Sequence, residues 1–242
     1  MIPLKDDNPS RTAPVVTVLL MAANVLAFLY QMSLGQEGMQ ALVYRLGLIP
    51  VEVTEGVSVG AAYVPVPLTF LTSMFLHGDL MHLLGNMLYL WIFGNNVEDE
   101  LGHVLFLPFY VACGLAAAAL QVFMMPGSEV PMIGASGAIA GVLGAYLILF
   151  PHARVLTLVP IFIIIRLMYL PAVVVLGIWF VFQLLMSADA RTGGGVAFFA
   201  HIGGFVAGMA LILMMRGPSA WRRSIHRPEP RGRAWRGDDD WA

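Results

Sequence analysis

The chain reads as an all-α, polytopic membrane protein, a bundle of six transmembrane helices. Three observations predict this class. Of 242 residues, 59% are hydrophobic and only 12% charged, with a mean hydropathy of +0.79; soluble domains carry roughly 25% charged residues. The apolar residues gather in runs that approach or exceed the ~20 a helix needs to cross a bilayer. Lysine and arginine are biased to one side of those runs, as the positive-inside rule requires for an even number of crossings. The length fits one domain or at most two. A net charge of −2 makes no case for nucleic acid, and Cys113, the single cysteine, excludes an intramolecular disulfide.

Residues 1–13 form a short cytoplasmic N-terminal segment in this reading. The first span, 14–34, is longer than a signal-peptide core and lacks a small-x-small cleavage site. The 35–69 connection is the longest loop, and its apolar patches ALVYRLGLIP and AAYVPVPL point to partial burial in the outer leaflet. Further spans are expected at 70–94, 104–125, 133–151, 170–188 and 196–215. Pro171 suits the first turn of the fifth, where a missing N–H does no harm. Val155 to Ile165 is apolar but short, interrupted by Pro160 and closed by Arg166. It reads as interfacial, or as a lead-in to the fifth span. Thr192–Gly195 is a TGGG stretch that would give the loop before the sixth span the freedom of a gate.

Residues 216–242 read as a disordered cytoplasmic tail rich in arginine (Arg216, Arg222, Arg223, Arg227, Arg231, Arg233, Arg236) and ending in Asp238–Asp240. Six crossings bring Lys5 and Arg11 to the same side, with Arg154 and Arg166, leaving Arg45 and Arg191 in outer loops. No internal repeat is visible, which argues against a transporter built on inverted repeats.

Polar side chains inside membrane spans are functional hypotheses by default. The span cores hold no Asp or Glu; the residues that stand out are His77, His82 and Asn86 in the second span, Ser136 in the fourth and His201 in the sixth. Spans two, four and six all run outside to inside. His82 falls about a dozen residues into its span, Ser136 just inside the fourth and His201 several residues into the sixth. At about 1.5 Å per residue all three belong to the outer half of the bilayer.

Together they make a nucleophilic site. A serine hydroxyl needs a base to take its proton, and a histidine is suited to that transfer. The oxyanion that follows needs preplaced donors. His82 and Asn86, four apart, share a helix face, and Ser136 lies near a helix N-terminus with its free N–H groups. Gly137 with Gly141, and Gly204 with Gly208, carry the small-xxx-small spacing that lets helix backbones approach closely. Such packing would deliver His201 to Ser136, a dyad with no carboxylate. Singly, each residue has a blander reading: Ser136 bonding back to its own helix, His201 a packing residue, His77 a structural ring at a loop junction where it meets water. Asp79 is not expected to complete a triad, Glu98 is expected to bind loop backbone, and His103, His152 and His226 carry no assigned role.

The segments HGDLMHLLGN (77–86), GNNVEDELG (94–102), GASGAIAG (134–141) and AHIGGFVAG (200–208) resemble the rhomboid family of intramembrane serine proteases, and the similarity covers the six-span core, 14–215. The resemblance implies Ser136 as nucleophile, His201 as base, and an oxyanion hole of His82, Asn86 and the Ser136 N–H. It implies membrane-anchored protein substrates cut in or near a transmembrane helix at the outer side, within a cell membrane, with no cofactor and no metal. The chain departs from the family pattern in two places. Leu68-Thr69 stand where many members have Trp-Arg, and Ala140 stands where many have an aromatic stacked on the histidine, leaving Phe198 or Phe205 to hold His201. The alternatives are a catalytically weak or inactive rhomboid-like binder of membrane clients and, further off, a transporter. A zinc protease is excluded by the absence of HExxH, and an aspartyl protease by spans without Asp.

Overall fold

The computed structural model describes residues 1–59, 64–161, 164–189 and 197–216. They form a predominantly helical bundle. In chain order the elements are β1 (Ile2–Asp6), α1 (Val15–Ser33), α2 (Gly35–Leu46), α3 (Pro50–Glu55), α4 (Val66–Thr72), α5 (Leu80–Tyr89), α6 (Asn95–Leu101), α7 (His103–Met124), α8 (Ser136–Leu149), β2 (Arg154–Ile161), β3 (Ile164–Pro171), α9 (Ala172–Asp189) and α10 (Phe198–Arg216). Among the described residues, α1, α7 and α10 are long and apolar enough to cross a membrane, while α8 and α9 are shorter apolar helices.

The second span begins later than the sequence suggests. The stretch from 66 breaks after a 3-10 turn at Ser73–Phe75, and a new helix starts at Leu80. Asp79 is the reason: in extended conformation, its carboxylate accepts the His82 N–H at 2.8 Å and caps α5. From there the helix continues through a π turn at Leu90–Gly94 into α6. Gly102, at φ +80°, ends it and turns the chain into α7. Leu68 and Thr69 consequently lie in helix α4, with Thr69 buried and bonded to the Val66 carbonyl.

The described residues of the segment 155–165, which leads towards the fifth span, are strand. β2 and β3 form an antiparallel hairpin with Arg154 opposite Pro171 and Ile161 opposite Ile164, and β1 pairs with the other edge of β2, Ile2 opposite Leu158 and Asp6 opposite Val155. The β-branched residues of this run favour a pleated surface over a helix. Pro160 sits near the end of its strand, where its missing N–H is tolerated. Within the short N-terminal segment 1–13, Ile2–Asp6 is thus a paired strand at the end of the bundle where α8 stops and α9 starts.

At the centre stands α8, whose residues from Gly137 to Leu149 are buried with the sole exception of Leu147. It is sandwiched between α7 and α10. Its glycines set the distance: a methyl group at Gly204 would overlap the Gly137 carbonyl, and one at Gly208 the Gly141 backbone. The two small-xxx-small pairs read from the sequence therefore face each other, Gly137 to Gly204 and Gly141 to Gly208. Gly141 also receives the buried Cys113 of α7. Residues 190–196, with the TGGG stretch, and the tail 217–242 lie outside the described residues.

Candidate active site

Ser136 is the first residue of α8, and the first N–H groups of a helix have no acceptor within it. His201 is the fourth residue of α10 and His82 the third of α5. All three site residues thus open helices that start at one end of the bundle. His82 is in a first turn rather than a dozen residues deep, because the Asp79 cap moves the start of its helix. Ser136, His82 and His201 therefore all fall within the first four residues of their helices.

The glycine contact between α8 and α10 brings the pair together. Ser136 Oγ lies 2.7 Å from His201 Nε2. The far side of the imidazole is also engaged: Nδ1 lies 2.8 Å from the Oε1 of Gln183, a buried residue of α9. Trp179, one turn earlier, places its ring 5.9 Å from the imidazole, centroid to centroid, and Phe198 meets it edge-on at 6.5 Å. Phe205 stands behind, against Trp179 and Phe180. At the start of α10, the Ala200 N–H donates to Gln121 Oε1 of α7 at 3.2 Å, tying the turn before His201 to a neighbouring helix.

Across the cavity stand His82 and Asn86, one turn apart on α5. The His82 Nδ1 accepts the Gly78 N–H at 3.4 Å, which leaves the ring proton on Nε2. That Nε2 faces the strand of chain leading to the serine: a methyl at Gly134 would sit 2.7 Å from it and 3.7 Å from Asn86 Nδ2. Gly134 also has φ +121°, so both its backbone and its surroundings demand glycine. Its N–H donates to the Ser73 carbonyl at 2.9 Å, pinning the loop before Ser136.

His77 has no exposure at all, contrary to the water-facing ring expected at a loop junction. Its Nε2 accepts from Asn86 Nδ2 at 2.9 Å, and its backbone is held by Gln31 of α1 through both amide atoms, at 3.0 and 3.1 Å. His77 therefore aims the Asn86 amide. These groups surround a cavity of roughly 640 Å³ lined by Ser136, His201, His82, Asn86, Trp179 and Ala140 among others.

The other polar cluster closes the opposite end. The Glu98 carboxylate accepts the N–H groups of Val16 and Thr17 (2.8 and 2.7 Å), the Thr17 hydroxyl (2.7 Å) and His103 Nδ1 (2.6 Å). It binds backbone as expected, but that of the first helix. His103, without an assigned role from sequence, is its partner. Burial pushes the Glu98 carboxyl up, and these hydrogen bonds outweigh it, holding the group below the usual glutamate range. Asp99 is lowered in the same way by Thr12 and Arg11.

Sequence reasoning identified the four residues that the fold gathers round the cavity. It missed Gln183, Trp179 and His77 as parts of the site. Gln183 had a signal: with Ser187 it is the polar side chain of an otherwise apolar run, four residues after a tryptophan.

Fold and site together define a class, a helical membrane bundle that holds a serine–histidine pair at the helix starts lining a cavity. Comparison with known proteins narrows it. The family model described as the Rhomboid domain matches residues 66–218, more than half of the chain. Rhomboid protein 1, mitochondrial, of Saccharomyces cerevisiae is 36% identical over 101 residues, 40% of this chain and 29% of that protein. RHOMBOID-like protein 6, mitochondrial, of Arabidopsis thaliana is 31% identical over 153 residues, 62% of this chain and 45% of the relative. Rhomboid-like protein 11, chloroplastic, from the same plant, is 27% identical over 166 residues, 62% and 54%. The chain thus spans between roughly a quarter and a half of these relatives' lengths. It belongs to the rhomboid family, an assignment that supports protease-type chemistry within a membrane.

Proposed function

We propose that the chain is an intramembrane serine endopeptidase acting on membrane-anchored proteins, in or near a transmembrane helix. The observation that carries this reading is the 2.7 Å contact between Ser136 Oγ and His201 Nε2 at the wall of the cavity. Ser136 Oγ attacks the scissile carbonyl carbon as its proton passes to His201 Nε2. The carbonyl oxygen becomes an oxyanion, met by the Ser136 N–H, His82 Nε2–H and the Asn86 amide. On collapse the C–N bond breaks and the amine leaves with the proton from His201. Water then enters, gives a proton to His201 and attacks the acyl carbon; the Oγ–acyl bond breaks, His201 returns the proton to Ser136 Oγ, and the acyl group leaves as a carboxylic acid. The site opens at the face where α5, α8 and α10 begin, opposite the sheet formed by the N-terminal strand. The positive-inside bias supports both termini in the cytoplasm and the mouth outside, with 14–215 as the protease unit and 216–242 as its tail.

A fluorophosphonate probe tests the dyad in the purified, detergent-solubilised chain. Labelling should fall on Ser136 alone, and both Ser136→Ala and His201→Ala should abolish it while each retains a cooperative melt. A folded wild type that stays unlabelled beside a reactive rhomboid control would instead indicate a binder of membrane clients that does not cut them.

A further inference from the structure

The ring of His201 is held at both nitrogens, yet the dyad needs only one of them. We infer that Gln183 is a positioning residue, whose amide oxygen fixes His201 in the tautomer that can accept the serine proton. The inference rests on the protease reading above and adds a residue to it.

A neutral imidazole carries one N–H, and the hydrogen bond at one nitrogen decides the role of the other. With the hydrogen on Nδ1, it is donated to Gln183 Oε1 at 2.8 Å, and the bare Nε2 faces the Ser136 hydroxyl at 2.7 Å. With the hydrogen on Nε2, two lone pairs would meet at the Gln183 contact, and Ser136 would face a donor that cannot take its proton. The amide oxygen thus selects the productive form. In a serine–histidine–aspartate triad a carboxylate has this task, and replacing it with an amide that stabilises the wrong tautomer lowers kcat ~10⁴-fold. Here the acceptor is neutral, which avoids burying an ion in an apolar bundle. Gln183 is only 5% exposed.

The placement on α9 reinforces this. Trp179 and Gln183 are one turn apart, so one face of α9 meets the imidazole with both a ring and an acceptor. Beyond Ser136 itself, α8 presents no ring to the imidazole: its Ala140 is a fully buried methyl in the cavity wall. The histidine is consequently supported from α9.

Two substitutions separate positioning from packing. Gln183→Met keeps the length and volume but offers no comparable acceptor, whereas Gln183→Glu, assayed at about pH 8, can only accept when ionised but puts a charge among apolar side chains. The readouts are the rate of Ser136 labelling by a fluorophosphonate in the full chain, the melting temperature, and the ring-nitrogen NMR signals of His201 in ¹⁵N-histidine protein, assigned with His201→Ala. If Gln183 positions the ring, Met slows labelling about tenfold to a hundredfold, within the ~10⁴ ceiling for a wrong tautomer. Glu restores it to within a few-fold of wild type, whatever it does to the melt. The Nδ1–H form should dominate in wild type and in Gln183→Glu and be lost in Gln183→Met. A packing residue gives the reverse order, Met above Glu, and that order or an unchanged tautomer in Met overturns the inference. A folded wild type whose Ser136 stays unlabelled overturns the protease reading instead, and the NMR signals still decide the tautomer claim.

Discussion

The two ends of this bundle are both polar, and they are built on opposite principles. At the mouth, with the Asp79 carboxylate spent on capping α5, Ser136, His201, His82, Asn86, His77 and Gln183 interact as uncharged partners around a cavity. At the other end, Glu98 and Asp99 collect backbone N–H groups, hydroxyls, an arginine and a histidine in a packed cluster. Neutral hydrogen bonds of about 1 kcal/mol each can be exchanged for bonds to a substrate, while a buried, multiply bonded carboxylate is costly to disturb. One end is arranged to change partners and the other to keep them. Glycines at the α8–α10 contact link the two, since they let the helices pack closely enough for a dyad without any charge to hold it.

The largest test falls on the clamp. Glu98→Ala leaves two N–H groups at the start of α1, the Thr17 hydroxyl and His103 without their acceptor, and removal of one member of a buried, bonded charge cluster costs about 3–5 kcal/mol. We expect a large fall in melting temperature, with the Ser136 labelling rate per folded molecule unchanged below the melt. Because the Glu98 carboxyl is held below its ordinary range, its contribution is complete above the usual glutamate pKa and disappears as pH falls through the lowered value. A variant as stable as wild type would show that the clamp holds nothing, and the contrast between the ends would lose its basis.

Next comes Asn86→Ala at the mouth. It should slow catalysis by roughly 10²–10³, equivalent to about 3–4 kcal/mol of transition-state stabilisation, if the amide donates to the oxyanion as in other serine hydrolases. The loss should appear in kcat with little change in KM. His82 can share the load and reduce the effect. The buried His77 Nε2 loses its donor as well, so a modest drop in stability of about 1–3 kcal/mol should accompany it. A change in KM alone would place Asn86 in substrate binding and remove it from the oxyanion hole.

How far each end could be read from the sequence follows the same division. Ser136, His201, His82 and Asn86 stand out because a polar side chain in an apolar run is rare, and because helical spacing and glycine pairs say which residues can meet. Gln183 obeys the same rule, but no helical spacing or glycine pair in the sequence ties it to Ser136 or His201. The late start of α5 was also legible, in an Asp standing just before Leu80-Met81-His82. The sheet was not. An apolar run of eleven residues has no period that separates strand from helix, and β1 lies about 150 residues away in sequence from its partner strand. The Glu98 contact with α1 is similarly non-local, 81 and 82 residues from its backbone donors.

The smallest effect concerns the strand in the short N-terminal segment. Asp6, at the end of β1, is only 8% exposed, and its Oδ2 accepts from the Tyr146 hydroxyl at 2.6 Å and from Asn96 Nδ2 at 2.8 Å. Burial dominates over these bonds and raises its pKa from 3.8 to about 6. The raised value sets the sign. The docked strand favours the protonated acid, so this stabilisation is complete below pH 3.8 and is lost as pH rises through about 6. Between about pH 5 and 7.5 the docking of β1 should weaken by about 1 kcal/mol, several-fold in its opening equilibrium. Hydrogen exchange of residues 2–6, corrected for the intrinsic pH dependence, should show that loss of protection, and Asp6→Asn should remove it. Protection that rises with pH would mean that the carboxylate form is the docked one, making Asp6 a third member of the charged clamp beside Glu98 and Asp99. The contrast drawn between the ends would then extend to the N-terminal strand, with every acid at that end held as an ion.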